Sequence, residues 1–233
     1  MGVTVAEISD FAGIKRIWEE QFTTDTEYLQ VMFNQIIPLC TNYIYKEGEE
    51  VLSVSSFMPM KFYDSTKNME LNGWYMFGVA TLKKAQGEKM ASKTILEAIR
   101  QFGSKNYHFI FERPANQGLN KFYLKLGFSK SLKRVPYRFV SPEEDGSSWN
   151  TGSNSEAKSL PQRILDEIQL QFPKRFEWAD TQLLEGLIAL GEVEYNNNNI
   201  SNSTEENTYI AINALNNIDP DSFSGTFFCF PME

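Results

Sequence analysis

Residues 78–95, GVATLKKAQGEKMASKTI, decide how this chain is interpreted. A β-branched, apolar stretch ends near Leu82, a polar loop follows, and a helical pattern begins at Glu88 or Lys89. Unpaired N–H groups and the positive dipole end at a helix N-terminus can hold phosphate oxygens, and Gly87 lets a ligand approach the backbone. Four lysines surround the loop: Lys83, Lys84, Lys89 and Lys93. The segment predicts a pyrophosphate site, although an ordinary strand-loop-helix with a solvated basic loop explains the same residues.

A second informative stretch, NQGLNKFYLKLGF, runs from Asn116 to Phe128. It places Tyr123 seven residues after Asn116 and then ends in Gly127-Phe128. The pattern predicts a helix over about 117–126 that Gly127 ends. On its residues alone, Tyr123 is either a reactive phenol or an aromatic packing residue.

Taken together, the two stretches resemble the GNAT superfamily of acetyl-CoA-dependent N-acyltransferases. The cofactor loop of that family reads Arg or Gln, two residues, Gly, one residue, then Gly or Ala, and the matching positions here are Gln86, Lys89 and Ala91. Lys89 departs from the pattern, because the family has glycine at this place. The second family signature is matched at its spacing by Asn116, Tyr123, Gly127 and Phe128. The resemblance covers about residues 3–140, with the first two helices as the lid on the acceptor side.

The resemblance implies an α+β fold with a mixed central sheet flanked by helices, and direct transfer of an acetyl group to a primary amine. Backbone N–H groups near Val79 would polarise the thioester carbonyl, and Tyr123 would protonate the departing thiolate. No metal is implied. The residues that the resemblance assigns to acetyl-CoA are Val79, Ala80, Thr81, Gln86, Gly87, Glu88, Lys89, Met90, Ala91, Ser92 and Asn116.

The general base stays open at this point. Glu70 lies on the strand that leads into the cofactor loop, and Glu112 ends the apolar strand after it. The terminal carboxylate at Glu233 is a third candidate, since some two-part relatives bring their C-terminus into the site. Deprotonation of the amine through water is a further alternative.

Residue patterns predict the elements around these segments. Helices are expected to begin at Ser9 or Asp10 and at Thr24 or Asp25. Strands are expected over about 42–46, 51–60, 69–82 and 107–111. The helix of the cofactor loop is expected to end at Gly103, which stands where a C-terminal cap would.

Composition divides the chain into two parts joined by a polar segment. Residues 1–140 are expected to form the GNAT-type domain, and the turn-rich residues 141–159 a linker or exposed loop. Residues 160–233 are expected to form a small acidic α+β C-terminal domain, with helices over about 160–172 and 181–190 and strands over about 192–195, 209–215 and 223–230. We expect this smaller part to pack on the first, because a unit of its size is marginally stable alone.

Charge is distributed unevenly between the two parts. Residues 1–140 carry 18 basic and 14 acidic residues, whereas residues 141–233 carry 4 basic and 16 acidic residues. The acidic part favours a cationic amine as acceptor, either a small molecule or a peptide, although acidic residues can also serve solubility alone. The aromatic residues Trp178, Tyr195 and Tyr209 could line a cleft for such an amine or belong to a core.

Several classes of function are disfavoured. The acidic isoelectric point near 4.9 disfavours nucleic-acid binding, and a single histidine, His108, leaves zinc or Cys-His chemistry little to work with. Two distant cysteines, no secretory signal and no membrane-length apolar run favour a cytoplasmic protein without a membrane partner. Oligomeric state is undecided, and a homodimer stays open. The alternative function is a GNAT-like module that binds CoA or another small ligand without turnover, which the departure at Lys89 motivates.

Overall fold

The computed structural model describes residues 2–133 and 138–140 and selected residues of the C-terminal part. Those selected residues are 162, 165–166, 169, 174–178, 180–189, 194–196, 199–201, 209–216, 218, 223 and 227–228. Within these described residues, no helix is both long and apolar enough to cross a membrane.

The described residues form both helices and strands, numbered here in chain order. The helices are α1 (Phe11–Gln21), α2 (Thr26–Val31), α3 (Met90–Ser104), α4 (Gln117–Lys125) and α5 (Thr181–Ala189). The strands are β1 (Gly2–Val5), β2 (Thr41–Glu47), β3 (Glu50–Asp64), β4 (Met69–Thr81), β5 (Phe109–Glu112), β6 (Ser129–Lys133), β7 (Arg138–Val140), β8 (Lys174–Trp178), β9 (Glu194–Asn196), β10 (Asn199–Ser201), β11 (Tyr209–Ala214) and β12 (Phe227–Phe228).

One mixed sheet organises the fold, with the strand order β1-β2-β3-β4-β5-β11-β6. Its neighbours are antiparallel except β4 and β5, which run parallel. The long strand β3 pairs with β2 over its first half and with β8 over residues 60–64, and β12 pairs with β8 in parallel. A separate small sheet has the order β7-β10-β9. The mixed sheet with helices confirms the expected α+β fold class.

Strands from the C-terminal part complete the main sheet. Strand β11 lies between β5 and β6 and hydrogen-bonds to both, while β8 extends the edge of β3 beyond the end of β2. Residues 209–214 of the C-terminal part therefore belong to the main sheet, while the expected division into residues 1–140 and 160–233 stays a prediction. The predicted linker at 141–159 lies outside the described residues and stays a prediction.

Most predicted elements of the first half are confirmed. The strands expected over 42–46, 51–60 and 69–82 correspond to β2, β3 and β4, and β5 begins two residues later than expected. Asp25 caps α2, since its Oδ1 accepts hydrogen bonds from the backbone N–H groups of Glu27 and Tyr28 at 2.9 and 3.1 Å. The predicted cap at Gly103 is wrong, because α3 continues through it to Ser104. Strands β1, β8 and β10 were not predicted.

Two apolar cores cover the two faces of the sheet. One core holds α1 and α2 against β3 and β4, and its members include Ile14, Trp18, Met32 and Phe62. Trp178 belongs to this core and is buried, so of the two alternatives for this residue the structure supports the core and not the acceptor cleft. The side chains of Tyr195 and Tyr209 lie outside the described part. The other core holds α3 and α4 against the opposite face, with Ile95, Phe102 and Tyr123 among its members.

Candidate active site

The parallel strands β4 and β5 separate at the centre of the sheet. They pair only from Gly73 opposite Phe109 to Met76 opposite Glu112. Strand β5 ends there, whereas β4 continues to Thr81. In the described chain no strand pairs with this edge of β4 beyond Met76, so the backbone groups of residues 77–81 on that edge are available to an extended ligand.

A β-bulge in β4 lies where the two strands separate. Ser56 pairs with Phe77 and Val54 pairs with Ala80, so Gly78 and Val79 together face one residue of β3. Gly78 has φ +57°, which is the left-handed conformation that glycine adopts readily. A Cβ atom at Gly78 would lie 2.6 Å from Cζ2 of Trp18, so α1 packs directly on the bulge. The bulge reorients the backbone N–H groups near Val79 at the point where β5 stops.

The loop after β4 turns the chain directly into α3. A short 3-10 turn at Lys83–Ala85 is followed by Gln86, whose Nε2 donates to the carbonyl oxygen of Thr81 at 3.2 Å. Gly87 has φ +92°, and α3 begins at Met90. The N-cap residue Lys89 makes no side-chain capping bond, so the first N–H groups of this 15-residue helix point into the loop.

Cations near this loop differ in what they contact. Lys84 bridges to Glu50 at 2.5 Å, and Glu50 also binds Arg16 at 2.7 Å. Nζ of Lys93 lies 4.9 Å from the ring centroid of Tyr45. Among the described residues Lys83 and Lys89 show no ion pair, and both side chains are exposed. These two lysines are therefore the charges best placed to meet an anion at the N-terminus of α3.

Tyr123 lies on α4 behind the end of β5. Its side chain is 7% exposed and packs against the rings of Phe122 and Phe128. Burial, and the charge of Glu112 when ionised, raise the pKa of the Tyr123 phenol well above its usual value. The phenol therefore keeps its proton at neutral pH, as a proton donor must.

Three solved structures show how far the architecture is shared. The chain matches a conserved protein from Enterococcus faecalis V583, named "Probable N-Acyltransferase", with TM-score 0.61 and 13% identity over 90% of this chain and 54% of that chain. A GCN5-related N-acetyltransferase from Kribbella flavida matches with TM-score 0.57 and 10% identity, over 94% of this chain and 65% of that chain. A GNAT family N-acetyltransferase from Escherichia coli, solved in complex with CoA, matches with TM-score 0.52 and 13% identity, over 97% of this chain and 86% of that chain. The chain has the GNAT acyltransferase fold.

Sequence comparison adds no closer relative. No protein-family model matches the chain, and no curated protein matches it significantly. The chain spans about half the length of the Enterococcus faecalis protein, 54% of it. The shared property is therefore the fold.

The residues that the resemblance assigns to acetyl-CoA lie on one continuous segment from β4 into α3, apart from Asn116 at the start of α4. Val79 is the second residue of the bulge, Ala80 and Thr81 follow it, and Oγ1 of Thr81 lies 2.8 Å from Oγ of Ser53. Gln86, Gly87, Glu88 and Lys89 are exposed in the loop, and Met90, Ala91 and Ser92 form the first turn of α3. Met90 is buried and can offer only its backbone. Asn116 is the exposed N-cap residue of α4.

The three candidates for the general base occupy different places. Glu70 is exposed and pairs with Lys61 at 3.1 Å, near the start of β4. It lies eight residues before Gly78, which is roughly 26 Å along an extended strand, and is therefore remote from the bulge. Glu112 is buried where β4 and β5 separate. Glu233 lies outside the described residues.

Lys89, which stands where the GNAT pattern has glycine, has a backbone conformation that glycine adopts readily. Its φ of +57° and ψ of 25° are left-handed. The loop therefore carries an exposed cation at a position whose conformation favours glycine. A residue with a side chain pays about 1–2 kcal/mol for this conformation.

Two replacements of Lys89 separate the cost in stability of its left-handed backbone from the effect of its charge. We expect Lys89→Gly to be more stable than Lys89→Ala by about 1 kcal/mol in free energy of unfolding, because both lose the charge but only glycine relieves the left-handed strain. Urea unfolding of the two variants measures this difference. Equal stabilities would show that position 89 does not hold the left-handed conformation.

Proposed function

We propose that the protein is an acetyl-CoA-dependent N-acetyltransferase that passes the acetyl group directly to a primary amine. The observation that carries this proposal is one continuous path: an unpaired β4 edge with a bulge at Gly78, then a loop, then the uncapped N-terminus of α3. Tyr123 is buried near Glu112, the residue at which β5 ends. The likeness to GNAT structures supports the proposal at the level of the fold.

The residues on this path fit the chemistry of acetyl-CoA. The pantetheine arm carries amide groups, which suit hydrogen bonds to the unpaired backbone of residues 79–81. The pyrophosphate suits the first N–H groups of α3 and the ammonium groups of Lys83 and Lys89. When bound, acetyl-CoA supplies the activated acetyl thioester. Among the described residues, no cluster of side chains suited to a metal ion is present.

In the proposed reaction, the protein's own groups orient the thioester and stabilise the charge that develops as the acetyl group is transferred. The backbone N–H groups at Val79 polarise the carbonyl as the amine nitrogen attacks it. Tyr123 gives its proton to the sulfur as the C–S bond breaks. The cores on both faces, with Trp18 packed on Gly78, shield the floor of the opening from water.

The acceptor in this proposal is a cationic amine, either a small molecule or a peptide. The excess of acidic residues in 141–233 supports this choice, since it attracts a cation. We place the protein in the cytoplasm without a nucleic-acid or membrane partner, and a homodimer stays a prediction. The alternative is a GNAT-like module that binds CoA without turnover. Acetyl-CoA binding with no thiol release for any primary amine would favour that alternative.

Charge reversal at position 89 tests where the phosphates bind. We expect Lys89→Glu to weaken CoA binding about 10-fold, because it places a negative charge at the helix N-terminus next to the phosphates. Calorimetry at low salt measures the affinity. Lys105→Glu is the matched control, since Lys105 is exposed at the opposite end of α3, roughly 24 Å away by helix rise. Equal weakening by both variants would contradict the assigned phosphate site.

A further inference from the structure

Glu112 is a buried carboxyl that the proposed reaction has not yet used. Its residue is 1% exposed, and its Oε1 has no hydrogen-bond partner among the described residues. It is the last residue of β5 and stands between Met76 of β4 and Ala211 of β11. It is therefore the last residue of β5 that pairs with β4 before the two strands separate.

Strand alternation places Glu112 on the same face as Tyr123. Residues two apart on a strand share a face, so Glu112 lies on the side of Ile110. Ile110 belongs to the core that contains Tyr123, as does Met76, the β4 partner of Glu112. The carboxyl and the phenol are therefore neighbours within one largely apolar core, at the mouth of the proposed active site.

Burial without a partner keeps this carboxyl neutral. An ionised carboxylate that is removed from water without a cation or hydrogen bonds is costly, so the group binds a proton instead. Burial raises the pKa of Glu112 to about 9. At neutral pH it is a carboxylic acid, which has an O–H to donate.

In the described part of the chain, groups from several neighbouring elements face Glu112. From α4 comes Tyr123, whose pKa responds to the charge of Glu112 and of Tyr75 on β4. From β11 come Ala211 and the neutral, buried Asn213. The α3 members of this core, Ile95, Ala98, Ile99 and Phe102, are apolar. Arg113 follows in sequence, and among the described residues no basic side chain pairs with Glu112.

We propose that Glu112 is a positioning residue for Tyr123: the two groups lie side by side without a hydrogen bond in this structure, and during turnover the carboxylic acid forms one to the phenol oxygen and returns a proton to it. This inference rests on the proposed acetyltransferase function. A hydrogen bond from Glu112 aims the phenol O–H at the opening between β4 and β5. It also stabilises the phenolate as that proton leaves.

The proton transfers balance. The amine nitrogen forms the C–N bond, the electron pair of the C–S bond goes to sulfur, and sulfur takes the proton of Tyr123. Glu112 then gives its proton to the phenolate, and the resulting carboxylate regains a proton from water, which has received the proton lost by the amine. Tyr123 alone is a weak acid in this core, whereas the pKa of about 9 at Glu112 is close to that of a thiol.

The test is Glu112→Gln, which keeps the shape but has no transferable proton. For wild type we expect kcat to fall as pH rises through about 9, since Glu112 must be protonated. For Glu112→Gln we expect kcat on the order of 10- to 100-fold lower, no alkaline fall from this group, and an unchanged KM for acetyl-CoA. In a Tyr123→Phe background, Glu112→Gln should have no further effect, because it acts through the phenol.

A second readout needs neither cofactor nor turnover. We expect the protein alone to show the infrared band of a protonated carboxyl at pH 7, lost above about pH 9 and absent in Glu112→Gln. Glu49→Gln, in the exposed turn between β2 and β3, is the control and should keep the band. If Glu112→Gln folds poorly, Glu112→Asp serves as the second variant. It retains a carboxylic acid, so its kcat should still fall as the pH becomes alkaline.

The outcomes separate the two proposals. Wild-type turnover with an indistinguishable Glu112→Gln, or a missing band at pH 7, overturns the role of Glu112 and leaves the proposed function intact. A wild type that binds acetyl-CoA but acetylates no amine overturns the proposed function, and the role of Glu112 with it.

Discussion

Tyr123→Phe is expected to lower kcat for acetyl transfer by about 10²- to 10⁴-fold, the range for loss of a general acid. The affinity for acetyl-CoA should stay unchanged, because the phenyl ring still fills the same buried space between Phe122 and Phe128. Thiol release from acetyl-CoA with a primary amine measures kcat, and calorimetry measures the affinity. A loss confined to kcat identifies an interaction made in the transition state.

A second buried tyrosine provides the control for this experiment. Tyr43 on β2 is buried against Phe57 and Phe102, and burial raises its pKa to about 12. Tyr43→Phe removes the same hydroxyl from the same core, away from the separation of β4 and β5, and should leave kcat as it is. If both variants, or neither, lost activity, Tyr123 would be a packing residue and not the proton donor.

Gly78→Ala is expected to cost about 3 kcal/mol in free energy of unfolding and to abolish acetyl-CoA binding. The added Cβ meets a left-handed backbone, at about 1–2 kcal/mol, and the Trp18 ring at 2.6 Å, which adds overpacking of about 1–3 kcal/mol. Relief of either contact has to move the bulge that presents Val79. Chemical unfolding and calorimetry measure the two effects.

Gly103→Ala is the matched control for this glycine. Gly103 lies inside α3, and a Cβ there meets nothing within 4 Å. Alanine should therefore stabilise the protein by up to about 1 kcal/mol through its higher helix propensity. Destabilisation at position 103 would mean that α3 ends there after all, and an undiminished affinity in Gly78→Ala would show that the bulge does not bind the cofactor.

The sequence predicted the central part of the fold because its signals are local. The strands predicted over 42–46, 51–60 and 69–82 and the helix start at Asp25 depend on patterns within a few residues, and they correspond to β2, β3, β4 and α2. The path from Val79 to α3 was likewise predicted, since the loop is one uninterrupted segment. Whether its residues bind acetyl-CoA stays a prediction.

Long-range pairing is what the sequence could not supply. Strand β11 enters the sheet between β5 and β6, about 100 residues after β5, and no local pattern records that partner. Strand β8 has the mixed sequence KRFEW because Phe176 and Trp178 face a core while Arg175 and Glu177 pair with each other at 2.9 Å on the other face. The alternation of apolar and charged residues in KRFEW covers only five residues, which is too short to predict a strand from the sequence.

Glu112 shows why the environment of a site residue needs the structure. In sequence it is a carboxylate at the end of an apolar strand, which suits a general base. In the fold, neighbouring strands on both sides and the core of α3 and α4 enclose it. Enclosure makes it an acid at neutral pH, a role that composition and spacing do not indicate.

The central claim is that the opening between β4 and β5 binds acetyl-CoA, and calorimetric titration of the full chain with acetyl-CoA tests it most directly. The account predicts one site per chain with micromolar affinity that weakens as salt is added, because lysines and a helix N-terminus hold the phosphates. Absence of binding up to millimolar acetyl-CoA would contradict it. The protein would then have the GNAT fold with a different ligand.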